Sequence, residues 1–564
     1  RAGMKAVFAP EGSTIPANGT VLKKGNIRGV ESNGMLVSMA EMGLSEDHDG
    51  IIEAPADAEI GTPLADIFGL NDPVIEISLT PNRVDCAGVR GIARDLAAKG
   101  IGTLKPLADA AVKGSFPSPI TVSIEDKQGC PLFLGRMVKG VKNGPSPEWL
   151  QNLLKSVGLR PISALVDVTN FLSLDLCRPL HVFDADKLKG NISVKATKGS
   201  ETLEALNDKT YTLLEGAVAI CDDSGVLGLG GVVGGKDTGC TETTTNVYIE
   251  AAYFDPMRIA KTGRSLGIES DARYRFERGI DPAFTVQGME IATALILELC
   301  GGEASEVVTA GAVPPCGKDI SFDPAFTEKL TGLSVPADQQ KKILEALGFE
   351  IAGSTVKTPS WRGDIWAADT DGKADLAEEI LRVVGLDSLP AISVRAAESI
   401  PQSPETEMLT RIRKSRGVLV NKGFAECVTW SFMNKDRARL FGSNDNAALA
   451  IANPISTEID QMRPSLLPGL IEAAGKNAAR GFADLALAEI GPVFGGTKPD
   501  EQKIVAGGIR AGLSGPRHWD QKPRAADAFD AKADALAVLA ALGVNTENLT
   551  IARNAPSYYH PGRS

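Results

Sequence analysis

The chain has 564 residues, of which 43% are hydrophobic and 23% charged, and its formal net charge is −12. This length is too great for one hydrophobic core, and the acidic balance argues against non-specific coating of nucleic acid. No stretch reaches the roughly 18 apolar residues that a membrane span needs. The eight cysteines include no C-x-x-C pair, so a zinc site is not expected. Scattered cysteines in a long chain instead predict free thiols in a reducing, cytoplasmic location.

Residues 1–70 are predicted to form a small barrel of short strands. Residues 25–30 and 33–38 are short apolar runs separated by turn residues, a pattern typical of tight hairpins. The OB-fold is one such barrel and commonly binds nucleic acid. A basic cluster of Lys23, Lys24 and Arg28 is then either an RNA contact or a solvated strand edge.

Residues 71–115 are predicted to be an α+β segment that leads into a linker. A strand is expected to end before Pro81, and a helix is expected from about residue 87 to 99 because its apolar residues recur at helical spacing. The Pro-, Ser- and Gly-rich residues 113–120 are the expected linker.

Residues 116–315 form a long α+β stretch with a glycine-rich segment. A helix is expected to begin at Pro147 and to stop near Gly158, and strands are expected over residues 194–219. Five of the nine residues 227–235 are glycine, which allows the backbone to approach a ligand closely. The segment matches neither a P-loop nor a dinucleotide-binding fingerprint.

Residues 316–392 form a small unit in which a helix is expected over residues 336–347, closed by Gly348, and an acidic helix follows the Trp361 turn. If that helix forms, Asp375, Glu378 and Glu379 share one face, and Asp364 on the preceding turn could supply a fourth oxygen. Hard oxygen ligands without His or Cys suit Mg²⁺. The alternative is an acidic helix start that the backbone dipole favours.

Beyond a linker over residues 391–405, helices are expected from residue 408 and over 466–479. Strands are expected over residues 425–432 and 485–494.

Several segments, in this order, resemble the β subunit family of bacterial phenylalanine–tRNA ligase: residues 78–85, 166–171, 178–184, 230–235, 270–281, the Trp361 turn with Glu378 and Glu379, and 462–469. Each is weak alone, but the ordered set is specific and covers nearly the whole chain. The resemblance implies an α+β multidomain fold. Its parts would be an OB-fold-like barrel, editing domains over residues 116–315, a small winged-helix-like unit, and an antiparallel class II synthetase core over residues 405–564.

The resemblance also implies an editing site that hydrolyses tyrosine wrongly attached to the phenylalanine tRNA. Glu250 matches the residue that contacts the phenol, and His181 matches the position near the scissile ester. Other family pocket positions fall on Arg160, Thr169, Gly234, Ser270 and Ala272. A purely structural alternative stays open for the first two: Glu250 pairs with Arg273 or Arg275, and His181 satisfies local carbonyls.

The family's magnesium positions fall on Asp364, Asp375, Glu378 and Glu379. The spacing between the two aspartates is longer here than in the family, so Asp369 or Asp371 could replace one of them. The resemblance further implies ATP as a substrate of the holoenzyme, tRNA(Phe) as a partner, and an α chain in an (αβ)₂ heterotetramer. The class II core would be catalytically silent, with Arg463 standing where an active core binds substrate.

Two other functions are weighed against this one. A non-catalytic nucleic-acid-binding scaffold would keep the barrel but lose editing, and a metal-dependent phosphohydrolase would use the four carboxylates alone. The start at Arg1 and the stop at Ser564 predict that the chain is part of a longer protein, with an anticodon-binding domain beyond its end.

Overall fold

A computed structural model describes residues 3–44, 49–71, 73–107, 111–365, 369–389, 391–393, 404–442, 447–515, 518–552 and 554–562. The chain divides into two compact units, residues 1–392 and 393–564, each of which mixes helices and strands. Among the described residues, no helix is long and apolar enough to cross a membrane. All eight cysteines are free thiols, and only Cys316 is exposed.

The N-terminal segment consists of short antiparallel pairs around a small core of Ile15, Val37 and Ile52. Strand β1 pairs with β6, β2 with β3, and β4 with β5; across residues 3–44 and 49–71 these pairs form no continuous barrel. Lys24, in the predicted basic cluster, forms an exposed ion pair with Glu31. The elements are β1 (Phe8–Pro10), β2 (Thr14–Ile15), β3 (Thr20–Val21), β4 (Gly25–Ile27), β5 (Val30–Ser32), β6 (Gly34–Leu36) and helix α1 (Leu64–Ile67).

The predicted strand before Pro81 is wrong, whereas the predicted helix is confirmed as α2 (Val89–Ala98). The described residues 73–80 contain no strand, and Ile75 is 78% exposed. The segment has a strand-like sequence but lies beside no partner that could hydrogen-bond to it. The predicted linker is not free either, because Ser115 N donates to Ala304 O and Phe116 bridges to Ser305.

Residues 122–311 contain two five-stranded sheets with helices around them. One sheet has the order β15-β14-β13-β10-β7; in the other, of order β17-β8-β16-β9, strand β18 also pairs with β8. The strands are β7 (Val122–Ile124), β8 (Leu132–Lys139), β9 (His181–Asp184), β10 (Ile192–Ala196), β11 (Thr202–Glu204), β12 (Thr210–Thr212), β13 (Val218–Asp222), β14 (Gly225–Leu229), β15 (Val233–Gly234), β16 (Asn246–Tyr253), β17 (Glu303–Ala304) and β18 (Val308–Gly311). The helices are α3 (Glu148–Ser156), α4 (Ala164–Leu176), α5 (Pro256–Leu266), α6 (Asp271–Phe276) and α7 (Phe284–Cys300).

The sheet that contains β16 is buried on both faces. Side chains alternate along a strand, so Tyr248 enters the core between the two sheets while Val247 and Ile249 enter the core formed with α4 and α7. All eight residues from Asn246 to Tyr253 pair with β8 in one continuous antiparallel register. This strand is therefore held from four directions, by two neighbouring strands and two cores.

The small unit confirms the two predicted helices. Its three-stranded sheet of order β19-β21-β20 packs with the helices around Ile320, Leu344, Leu376 and Ile380. The elements are β19 (Asp319–Ser321), α8 (Ala325–Thr331), α9 (Ala337–Ala346), β20 (Glu350–Ala352), β21 (Thr355–Lys357) and α10 (Thr370–Val384).

The second unit contains a three-stranded sheet of order β22-β25-β26. The predicted strand over 485–494 is confirmed, but of the one over 425–432 only residues 425–426 and 432 lie in strands, and between them Val428 and Trp430 are 94% and 77% exposed. Of the predicted linker, residues 394–403 lie outside the described chain. The elements are α11 (Glu407–Asn421), β22 (Ala425–Glu426), β23 (Phe432–Met433), α12 (Lys435–Leu440), β24 (Gln461–Met462), α13 (Leu467–Ala478), β25 (Leu485–Phe494), β26 (Gln502–Ala511) and α14 (Ala528–Ala541).

Candidate functional site

A cavity of about 80 Å³ lies at the edge of the core between the two five-stranded sheets. One wall is the sheet that contains β9 and β16, the other is the glycine-rich segment around β14 and β15, and α6 closes one end. The cavity brings together four of the seven predicted editing residues: His181, Gly234, Glu250 and Ala272.

Glu250 is a buried acid with no counter-ion in direct contact. It lies on β16 directly opposite His181 on β9. Within the described part of the chain, its Oε2 atom has no hydrogen-bond partner. Burial raises the pKa of the carboxyl to about 8, and the charge of Arg178 only partly opposes this. Glu250 is therefore mainly protonated at neutral pH.

The structural alternative for Glu250 is wrong, because both candidate arginines have other partners. Arg273 pairs with Glu277 at 2.9 Å, and Arg275 pairs with Asp271 at 2.9 Å.

His181 is a neutral imidazole at physiological pH. Burial lowers its pKa to about 4, and its ring packs edge-on against Phe183 with centroids 4.4 Å apart. In the described structure its Nε2 atom has no hydrogen-bond partner. The ring can thus donate or accept one hydrogen bond in the cavity, but it is a weak base.

The glycine-rich segment approaches these groups at a distance that no side chain would allow. A Cβ atom at Gly234 would lie 2.5 Å from His181 Cε1, and one at Gly231, where φ is +66°, would lie 3.0 Å from Phe276. Glycine is required at Gly231 for its backbone conformation as well. The segment therefore forms the second wall with its backbone.

The other three predicted editing residues do not line the cavity. Ser270 caps α6 by accepting from Arg273 N, and its Oγ donates to Val232 O at 2.7 Å, so it supports the glycine-rich wall from behind. Thr169 Oγ1 donates to Val166 O inside helix α4. Arg160 is exposed in the loop before that helix.

The sequence analysis missed three groups beside Glu250. Tyr248 precedes it by two residues and therefore shares its face of β16, a signal that the strand pattern did contain. Arg178, fully buried, donates to Thr285 Oγ1 at 3.1 Å and to the Ala252 carbonyl. Phe276 lines the cavity from the end of α6.

The predicted magnesium ligands lie near one another, but two of them, Asp364 and Glu379, are hydrogen-bonded to Arg362. Its guanidinium donates to both oxygens of Asp364 at 2.8 Å and contacts both oxygens of Glu379 at 3.1 and 3.2 Å. Burial and the charges of Asp364 and Glu378 raise the pKa of Asp375. Asp369, one alternative ligand, caps α10 by accepting from the backbone of Asp371, the other alternative.

As arranged, Asp364 and Glu379 do not fit a magnesium site, because their oxygens already accept from the guanidinium of Arg362. Within the residues that the structure describes, no group of three or more His, Cys, Asp or Glu side chains is arranged to hold a metal ion. Their assignment as magnesium ligands therefore stays a prediction.

Arg362 contacts Glu379, which also pairs with Arg382 of α10, and so it belongs to a partly buried network that joins helix α2 to helix α10. Asp95 of α2 accepts from Arg83 at 3.1 Å and from Arg382 of α10 at 2.7 Å. Lys99 Nζ also donates to the last carbonyls of α10, at Val383 and Val384. These contacts fix the small unit against the segment that precedes the two sheets.

In the second unit, Arg463 is buried in an ion pair. It donates to Glu489 Oε1 at 2.7 Å and to Pro492 O at 2.8 Å, and Thr429 occupies the other oxygen of Glu489. Both charged side chains are 4% exposed. A guanidinium in this position cannot bind a substrate carboxylate or phosphate.

Comparisons with known proteins match the chain along most of its length. A B3/4 domain matches residues 129–301, a tRNA synthetase B5 domain matches 320–386, and a phenylalanyl tRNA synthetase beta chain CLM domain matches 392–564. A phenylalanine–tRNA ligase beta subunit from Cereibacter sphaeroides is 52% identical over an alignment of 568 positions that covers 100% of this chain and 70% of that one. One from Paramagnetospirillum magneticum is 52% identical over 575 residues, covering 100% and 71%.

Among solved structures, an N-terminal fragment of the phenylalanyl-tRNA synthetase beta subunit from Pyrococcus horikoshii is 19% identical and covers 54% of this chain and 85% of that one, with a TM-score of 0.30. A likeness this weak supports no structural argument.

Proposed function

The chain belongs to the bacterial phenylalanine–tRNA ligase beta subunit family, and from this premise we propose that it joins a catalytic α chain and proofreads the product. Its role in phenylalanyl-tRNA synthesis follows from the family. We further propose an (αβ)₂ assembly in the cytoplasm, with ATP as a substrate and Mg²⁺ as a cofactor of the holoenzyme, and tRNA(Phe) as the acceptor. The buried state of Arg463 supports a class II core that is itself silent.

The finer architecture is also part of the proposal. The short antiparallel pairs before residue 71 support an OB-fold-like module, and the sheet with three helices over residues 319–384 supports a winged-helix-like unit. The antiparallel pair of ten-residue strands β25 and β26 supports a class II core.

The editing activity rests on one observation: Glu250 and His181 face each other across β16 and β9 with unpaired polar atoms beside the cavity. A pocket that merely fits phenylalanine rejects an added hydroxyl only by about a hundredfold, so a second site must recognise the phenol. A protonated Glu250 can both accept from and donate to that phenol. Phenylalanine would leave the acid unpaired, at a cost of about 1–3 kcal/mol.

For hydrolysis we propose that His181 orients water or the terminal ribose beside the ester. A neutral ring whose pKa is about 4 removes a proton from water poorly, so orientation and hydrogen bonding supply its contribution. Because Gly234 has no side chain beside the ring, space is left for the aminoacyl group.

The test is hydrolysis of tyrosyl-tRNA(Phe) by the α–β holoenzyme with Glu250→Ala. We expect the variant to lose most of its preference for tyrosyl over phenylalanyl ester, because the phenol loses its partner. Glu303→Ala, an exposed acid on the same sheet, is the matched control and should behave like the unsubstituted protein. An unsubstituted holoenzyme that spares both esters would favour the non-catalytic scaffold.

A further inference from the structure

Three buried polar atoms without hydrogen-bond partners lie on one face of the sheet that contains β16. They are Tyr248 Oη, Glu250 Oε2 and His181 Nε2, among the residues that the structure describes. Tyr248 and Glu250 are two residues apart on β16, and His181 lies directly across from Glu250 on β9. Buried polar groups are nearly always paired, so three together indicate a site built for a polar occupant.

The tyrosine hydroxyl reaches this point because of a glycine on the neighbouring strand. Gly135 of β8 is the register partner of Glu250, and a Cβ atom at Gly135 would lie 1.8 Å from Tyr248 Oη. The phenol therefore lies over the backbone of Gly135, beside the carboxyl. A glycine inside a strand is less favourable than alanine, and this position requires one because a side chain would exclude the hydroxyl.

From this geometry we propose that Tyr248 is a positioning residue for editing: its hydroxyl donates a hydrogen bond to the buried oxygen of Glu250 and turns the other oxygen toward the phenol of the substrate. This inference rests on the proposed editing function. The phenol of the protein and the phenol of the misattached tyrosine then bind the two oxygens of one carboxyl group. Catalytic hydrogen bonds are often long in free enzymes and shorten when substrate binds.

The surroundings keep Tyr248 a donor at every pH at which the enzyme works. Burial, and then the charge of Glu250, raise the pKa of the tyrosine. The other titratable or charged groups that face Glu250 are Arg178, Cys130 and His181. Burial raises the pKa of the Cys130 thiol and lowers that of His181, so both stay neutral and Arg178 is the nearby cation.

Tyr248→Phe in the α–β holoenzyme tests the assignment. We expect kcat/KM for tyrosyl-tRNA(Phe) hydrolysis to fall about tenfold, the effect of one hydrogen bond, while slow hydrolysis of phenylalanyl-tRNA is unchanged. The pH midpoint of tyrosyl hydrolysis should also shift, because the hydrogen bond acts on the ionisation of Glu250. In a Glu250→Ala background, which removes the acceptor, Tyr248→Phe should have a much smaller effect.

Tyr211→Phe is the matched control, since it removes a tyrosine hydroxyl that contacts Asn207 outside the cavity. If Tyr248→Phe leaves rate, specificity and pH midpoint as in the unsubstituted holoenzyme, the positioning role is wrong and editing stands. If its effect simply adds to that of Glu250→Ala, the residue acts elsewhere and the assignment is again wrong. An unsubstituted holoenzyme without hydrolysis would overturn the editing function and this inference together.

Discussion

At the scale of single residues, burial decides what Glu250 can do. In the unfolded chain the carboxyl is exposed to solvent and has its ordinary pKa of 4.5, whereas in the folded protein its pKa is about 8. Its neutral form is therefore part of the fold as well as of the proposed recognition of a phenol. The same desolvation acts on His181 in the opposite direction, because a charged imidazole is destabilised just as a charged carboxylate is.

A dependence of stability on pH follows. Between about pH 6.5 and 8 the unfolded chain has lost the Glu250 proton while the folded protein retains it, so the free energy of unfolding falls as pH rises, by up to ~1.4 kcal/mol per pH unit. His181 contributes the opposite slope only between its folded pKa of about 4 and its ordinary 6.5. Glu250→Gln should flatten the upper window, as measured by chemical denaturation at pH 6.5 and 8. Equal slopes in both proteins would contradict the buried neutral acid.

The sequence predicted part of this site and could not predict the rest. Resemblance placed His181, Gly234, Glu250 and Ala272, which do meet in one cavity. It also placed Thr169, whose hydroxyl is used by its own helix, and Arg160, which is exposed. Hydrogen-bond choice between a local carbonyl and a distant ligand depends on packing, which residue order does not contain.

At the scale of elements, helices were predicted more reliably than strands. The apolar spacing of Val89–Ala98 and of Ala337–Ala346 is enough to predict a helix, because helical hydrogen bonds join residues that are close in the sequence. Residues 73–80 and 425–432 have strand-like sequences, but a strand also needs a neighbour. The acidic face of α10 was predicted correctly, whereas the arginine that neutralises it lies seventeen residues earlier than Glu379 and follows no helical rule.

The contact between α2 and α10 leads to a prediction about stability. Burial alone would raise the pKa of Asp95, but hydrogen bonds from Arg83, and the charges of Arg83 and Arg382, hold it below the ordinary value. We expect Asp95→Asn to lower the free energy of unfolding by about 1–3 kcal/mol, since Arg83 and Arg382 each lose one carboxylate partner while they keep Asp85 and Glu379. Asp387→Asn, at an exposed position, should change it little.

The pH dependence gives a second check on the same contact. Because the folded pKa of Asp95 is lowered, its contribution is present above the unfolded pKa of about 3.9 and is lost as pH falls through the folded value. The difference in unfolding free energy between the unsubstituted protein and Asp95→Asn should therefore shrink below about pH 4. A difference that stays constant to acid pH would mean that Asp95 acts through packing instead.

At the scale of the whole molecule, the chain combines a proposed proofreading body with a proposed class II core, in which Arg463 is buried in an ion pair with Glu489. Arg463→Lys in the α–β holoenzyme should leave phenylalanine-dependent ATP–pyrophosphate exchange unchanged, because that guanidinium is bound to Glu489 and Pro492. The substitution should instead lower the unfolding temperature of the second unit.

Arg480→Lys, at an exposed position near the end of α13, is the control and should alter neither measurement. A folded Arg463→Lys holoenzyme with slowed exchange would show that this core takes part in activation, against the division of labour proposed above.

The burial of β16 on both faces has a consequence for redesign. One wall of the pocket is a strand that cannot shift without disturbing packing above and below it. The other wall ends in β15, a two-residue strand at the end of its sheet, which on its far side accepts a single hydrogen bond from Leu206 N at Gly234 O. New amino-acid preferences should therefore be sought by substitutions in the wall that ends in β15, while the wall formed by β16 is left unchanged.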